Sequence, residues 1–375
     1  MNSRNTHDSA PQNPEEEGCQ GWGAIDAALQ MVYGDQQPAH YGTAIRFRLG
    51  GADPLDGISV YRSEHGGPHW HYVTYGFSDL YGDLDDSYDI APEKPSGYGF
   101  EMTFRLARDV DEQEPPAWPL NFLQNMARYV FRTGNVFAPG HWMTANGPIK
   151  TGADTLLTEM GFVPDPELAP IHTPYGDLIF LQLVALTSDE LREVGRWNVQ
   201  GALQAMLPYM PLWIANLARP SLHELPDVQA AIDAGAARDG SKTGVLYNDV
   251  LGFTQRKRLL RSPQTVIKLG SLGVRDLKAM LPARLPHGRP LILAGDGSTL
   301  ELVPAGDSEG GLLDWHSDHE LKLSLTPAQM QAWKQAVKGR DGEYTVPGLA
   351  GLVWQVKTSM ITDDHGKVTG AYVEQ

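Results

Sequence analysis

Two histidines flank a tryptophan in GPHWHYVTYGFSDLYG, residues 67–82. On a strand His69 and His71 face the same side, and two imidazoles supply two of the three or four ligands a zinc ion requires. The nearest further candidates, Glu64 and His65, lie in a glycine-rich loop. The preferred reading is structural: imidazoles bonded to backbone carbonyls, with Trp70 turned the other way into the core. A second string, DWHSDH, sets Asp314, His316, Asp318 and His319 in an order like the HxHxDH ligands of metallo-β-lactamase-type hydrolases, with the first histidine replaced. That fold also needs alternating βα units and downstream ligands, for which Asp363, Asp364 and His365 are the candidates. The string reads first as a solvated turn between strands, and a metal-dependent hydrolase stands as the alternative function.

Other chemistry finds little support. LGSLG lacks the first glycine of GxSxG, and Cys19 has nothing beside it to activate a thiolate. GDGSTL breaks the GxGxxG pattern at its last position, and RDGSKTG lacks P-loop spacing. The expectation is a chain with no catalytic residues, no metal and no cofactor.

Thirty basic against 46 acidic residues give a formal charge of −16, which repels phosphate backbones and anionic membranes. A basic protein or peptide is the expected partner, and neither nucleic acid nor a membrane is. The basic run QRKRLLR, 255–261, reads as a solvated helix face or an inter-domain segment. One cysteine, no signal-peptide pattern and no apolar run of membrane-spanning length point to the cytoplasm.

At 375 residues the chain fits two domains. Residues 1–20 read as a disordered tail. In GWGAIDAALQMVY, Ile25, Ala28, Leu29 and Val32 form a helical stripe that stops at Gly34. GYGFEMTFRLAR alternates, with Phe100, Met102, Phe104 and Leu106 on one face and Glu101, Thr103 and Arg105 on the other, as in a half-buried strand. PLNFLQNMARYVFR has helical spacing behind a proline, and LIFLQLVAL, 178–186, reads as a central strand. Tyrosines near Asp79, Asp83, Asp85 and Asp86 read as an acidic, aromatic surface. Prolines at 208, 211, 220 and 226 without a long period place a linker at 221–245, between domains at 21–220 and 246–375. The fold class is α+β: two domains, each a mainly antiparallel sheet with packed helices.

In order along the chain, LGGADPLD, HWHY, SDLYGD, PSGYGFEMTFRL, PPAWP, ARYVF, TPYG with FLQLV, and WNVQG resemble the suppressor of fused family, nearly without gaps from Gly21 to Ala218. The resemblance is looser in the second domain, where a long polar insertion of animal members is missing, as in a compact bacterial member. It implies a non-enzymatic protein that clamps an extended peptide between two domains; roles ascribed to bacterial relatives resemble immunity against secreted toxins. Two positions carry over as binding residues. Tyr129, in ARYVF, matches a tyrosine lining the peptide cleft. His141, in APGHW, stands where animal members have an aspartate that pairs with the bound peptide's histidine, and a histidine offers a donor and an acceptor, or two donors, where a carboxylate only accepts. Tyr129 and His141 are expected on the same side of the first domain, facing the second.

Overall fold

The computed structural model describes residues 20–82, 94–258, 261–295, 297–306, 308–362 and 368–374. The expected tail with Cys19, the loop residues Asp83, Asp85 and Asp86, and Asp363, Asp364 and His365 lie outside the described residues. The chain divides into two compact units, Met1–Leu191 with Met206–Ser221 and Arg192–Ala205 with Leu222–Gln375.

The first unit opens with α1 (Gln20–Tyr33), which buries Ile25 and Leu29 and ends at Gly34, whose φ of +59° suits a residue without Cβ. Its sheet is built from β1 (Ala39–Gly42), β2 (Gly57–Ser63), β3 (His69–Tyr75), β4 (Pro95–Ala107), β5 (Trp142–Thr144), β6 (Leu157–Pro164), β7 (Ile171–Thr173) and β8 (Gly176–Thr187). The order is β1-β2-β3-β4-β8-β6-β5, with β7 also on β8. Antiparallel pairs predominate; β4 and β8 run parallel, and the connection between them contains α2 (Trp118–Thr133). As expected, the apolar run of β8 is central, between β4 and β6.

Alternation divides the sheet into two faces. Phe100, Met102, Phe104 and Leu106 of β4 join Trp70 and Tyr72 of β3 in a core with Leu123, Met126, Ala127 and Val130 of α2. On the other face Val73, Tyr75 and Phe180 pack with Ile25 and Leu29 of α1. The expectation that β4 is half-buried is corrected here: Glu101, Thr103 and Arg105 are 0% exposed. That face is covered too, so each of its polar groups needs a partner inside the protein. Of the four aspartates of the expected acidic surface, the one described, Asp79, is buried, and its Oδ1 accepts from the N–H groups of Tyr81 and Gly82 at 3.0 and 2.8 Å.

In the second unit, α5 (Pro226–Asp239) occupies the segment expected to be a linker; α3 (Ser188–Arg196) and α4 (Val199–Met206) precede it. Its stripe of Val228, Ile232, Gly235 and Ala236 is short of large apolar side chains because Trp197 supplies the bulk: a Cβ at Gly235 would come within 2.4 Å of that ring. The run at 255–261 is no helix face. It spans β10 (Leu251–Arg258) and the start of β11 (Arg261–Gly270), an antiparallel pair in which Arg256 forks onto Glu343 at 2.6 and 3.0 Å. One sheet, β10-β11-β17-β16, includes β17 (Leu352–Lys357) and β16 (Gly342–Tyr344). The other, β14-β15-β13-β12-β9, comprises β14 (Leu313–Ser317), β15 (Glu320–Leu325), β13 (Ser298–Pro304), β12 (Leu291–Gly295) and β9 (Val245–Tyr247). Helix α6 (Ser271–Arg284) and α7 (Pro327–Ala336) complete the core, with Trp333 of α7 edge-on to Trp354 of β17 at 5.3 Å. Thr326 and Gln329 cap α7 reciprocally. A hairpin of β18 (Ser359–Thr362) and β19 (Val368–Tyr372) follows. The α+β class is the one expected. Among the described residues no helix is long and apolar enough to cross a membrane.

Candidate functional site

The buried face of β3 and β4 carries a charged network that spacing alone did not disclose. Arg105 donates to both carboxylate oxygens of Asp165, at 2.6 and 3.0 Å, to Glu167 at 2.9 Å, and to Gln182. Asp165 also accepts from the Thr103 hydroxyl at 2.7 Å and from the N–H groups of Glu167 and Leu168 at 2.9 and 3.1 Å. Burial alone would raise the Asp165 carboxyl, but His71 and Arg105 beside it hold it well below the usual range.

The two histidines of HWHY belong to this face. His71 Nδ1 lies 2.7 Å from the Tyr33 hydroxyl, and its Nε2 is 3.2 Å from Asp165 Oδ2, near enough to feel the charge but outside hydrogen-bond alignment. His69 Nδ1 donates to the Gly67 carbonyl at 2.8 Å, and burial pushes this imidazole down to about 4. Both rings are thus oriented by protein groups, and Trp70 faces the α2 core. The loop candidates are engaged elsewhere: His65 with Glu167 at 2.6 Å, and Glu64 with Arg108. Because His71, Arg105 and Asp165 are fully enclosed, they can hold the sheet and α1 together but cannot reach a substrate.

DWHSDH lies on β14 and the turn after it, where His316 Nε2 sits 3.8 Å from Asp314 Oδ2, both side chains well exposed. Among the described residues no three His, Cys, Asp or Glu side chains are grouped to hold a metal ion. Asp314, His316, Asp318 and His319 therefore gather no further ligand from the described part of the fold.

Tyr129 and His141 come together indirectly. The Tyr129 ring stacks on Phe137 (5.7 Å), Phe137 stacks on Phe162 (4.3 Å), and the Phe162 N–H donates to the His141 carbonyl at 3.0 Å. Asn135 Nδ2 donates to the Tyr129 hydroxyl at 3.0 Å, fixing the half-buried ring, while His141 is exposed. His141 leads directly into β5, the last strand of the sheet, which pairs with β6 alone. Since Phe162 bonds to His141 and the Ala145 N–H to the Thr158 carbonyl (2.8 Å), odd-numbered positions face β6. Alternation then turns the N–H and C=O of Trp142 and Thr144 to the open edge. Met143 packs into the α2 core, leaving Trp142 45% exposed.

A family model described as suppressor of fused protein (SUFU) matches residues 51–220. A chain of the Sufu-Fu complex crystal structure is 33% identical, with a TM-score of 0.53, over 57% of this chain and 98% of that one. This chain belongs to the suppressor of fused family. The suppressor of fused homolog of Homo sapiens is 37% identical over 235 residues, which is 59% of this chain and 48% of the human protein. The chain thus spans about half the length of the curated relatives it matches. The crystal structure of Drosophila suppressor of fused shares the fold with a TM-score of 0.69 at 23% identity, over 92% of this chain and 99% of that one. Most of the residues around the network, from His69 to Gln182, lie inside the stretch matched to the suppressor of fused model.

Proposed function

We propose that this chain is a protein-binding module that takes an extended partner segment along the open edge of β5, beside Tyr129 and His141, and is not an enzyme. The observation that carries the reading is the edge itself: main-chain groups of Trp142 and Thr144 directed outward, flanked by an exposed indole and an exposed imidazole. Such an edge adds a strand through main-chain hydrogen bonds and selects it through flanking side chains. The second unit has a comparable short edge in β9, which pairs with β12 alone and leaves Tyr247 85% exposed. Family membership and the solved Sufu-Fu complex of a relative support binding rather than catalysis, and the charge of −16 favours a basic segment.

The test selects ligands from a displayed library of random peptides on the whole protein and re-measures them on Thr144→Pro, which removes one outward N–H while leaving the main-chain bonds to β6. Selected peptides should lose about tenfold or more in affinity on that variant. Equal affinity for both proteins would take the site away from β5.

A further inference from the structure

At the opposite end of the same sheet, where β1 is the edge strand, α1 and the chain after it enclose a cleft of ≈ 560 Å³ lined by Trp22, Asp26, Asp35, His40, Ser59 and Tyr61, among others. We propose that this cleft is a second recognition site, distinct from the β5 edge, and that it takes a guanidinium or ammonium group. The cleft is in the size range of sites for small ligands and single side chains.

Asp26 is exposed, and one oxygen accepts from the Tyr75 hydroxyl at 2.8 Å, which fixes the carboxylate and leaves the second oxygen for a ligand. No described lysine or arginine pairs with Asp26 or Asp35, so the lining carries two uncompensated negative charges. The walls are aromatic. Trp22 stacks on Tyr75 at 4.4 Å and meets His40 edge-on at 5.6 Å, and such faces attract cations.

Tyr61 supplies an independent sign of a ligand. It is 5% exposed and stacked on Tyr33 at 4.3 Å, yet among the described residues nothing hydrogen-bonds its hydroxyl, although the residue lines the cleft. The ring is buried, but its hydroxyl oxygen is not sealed from solvent, so it opens into the cleft, where a cation's N–H can donate to it. Burial and Asp26 push this phenol up to about 12, so it stays neutral, and burial lowers the His40 imidazole, which bonds Ser59 at 3.0 Å. Neither group opposes a cation at neutral pH. The backbone is shaped to seat these rings: a Cβ at Gly57 would fall 2.6 Å from His40 and 3.1 Å from Trp22.

Calorimetric titration of the whole chain at low salt decides the matter, with acetyl-arginyl-arginine amide and spermidine as probes and the uncharged acetyl-citrullyl-citrulline amide as control. The arginine probe or spermidine should bind, citrulline should not, and Asp26→Asn should weaken binding by about fivefold or more. The tighter of the two cations names the source, a partner's basic side chain or a free polyamine. Asp35→Asn is the second variant, because its carboxylate makes no described bond whose loss would disturb folding. Failure of both cations to bind, equal binding of citrulline, or affinity unchanged in both variants would overturn the site.

Discussion

Glu101 is a carboxylate placed where no water reaches, and its two oxygens take five donors. The hydroxyls of Thr74 and Ser78 approach to 2.7 and 2.6 Å, and the N–H groups of Gly76, Phe77 and Ser78 to 2.9, 3.4 and 2.9 Å. One side chain thus pins the turn that leaves β3. A glutamine offers a single acceptor oxygen and sets its own NH₂ among donors, so Glu101→Gln should cost about 2–3 kcal/mol. Burial pushes the Glu101 carboxyl up to about 7, against the hydrogen bonds, which lower it. A carboxyl raised in the folded state contributes stability that is complete below its unfolded value and is lost as pH rises through the folded one. Denaturant unfolding near pH 5 and near pH 8 should therefore show the gap between wild type and Glu101→Gln narrowing at the higher pH. A gap of the same size or wider at high pH would mean that the five donors, not burial, govern this charge.

Among elements, the pair formed by α1 and the polar face of β3 and β4 shows what spacing can and cannot disclose. Period-two alternation correctly separated Phe100, Met102, Phe104 and Leu106 from Glu101, Thr103 and Arg105, because apolar side chains must share a face. It said nothing about what lies across the polar face. The partners of Arg105 are about 60 positions away, in Asp165 and Glu167, and a charged strand face looks the same in sequence whether water or a helix covers it. Short elements were illegible for a different reason: β5 has three residues, too few to display a period, so the edge beside His141 emerged from the sheet order. Tyr129 and His141 themselves came from family resemblance, and the cation cleft unites α1, β1 and β2, which no motif spans. The buried pair also yields a prediction. Arg105→Met leaves two carboxylates without their cation and should cost about 3–5 kcal/mol, whereas Arg105→Met with Asp165→Asn should cost at least about 1 kcal/mol less than the sum of the single changes. Additive losses in a double-mutant cycle would show that Asp165 is held by its hydroxyl and N–H donors and not by Arg105.

Across the whole molecule, buried ionisable groups are unevenly divided. In the first unit His69, His71, Arg105 and Asp165 are enclosed together, while the large core of the second unit is built from leucines, valines and the Trp333–Trp354 pair. Acid should therefore act on the units differently. Burial lowers both His69, to about 4, and His71, so each contributes stability that is present above the unfolded histidine value of 6.5 and is lost as pH falls through the folded one. Asp165, also depressed, adds its loss only below its unfolded value of 3.8. Glu101 works in the opposite direction between about 7 and 4.5 and offsets a loss the size of that from His69, so the net fall is carried by the second ring, His71. Amide exchange, corrected for the intrinsic pH dependence of the rate, reads each unit separately. Between about pH 7 and pH 4, opening free energies for β3, β4 and β8 should fall more than those for β11, β13 and β17. His69→Gln should flatten that fall within the first unit and leave the second unit's exchange unchanged. Equal losses in both units, or a wild-type slope that survives His69→Gln at full size, would remove the buried imidazole as the acid-sensitive element of this fold.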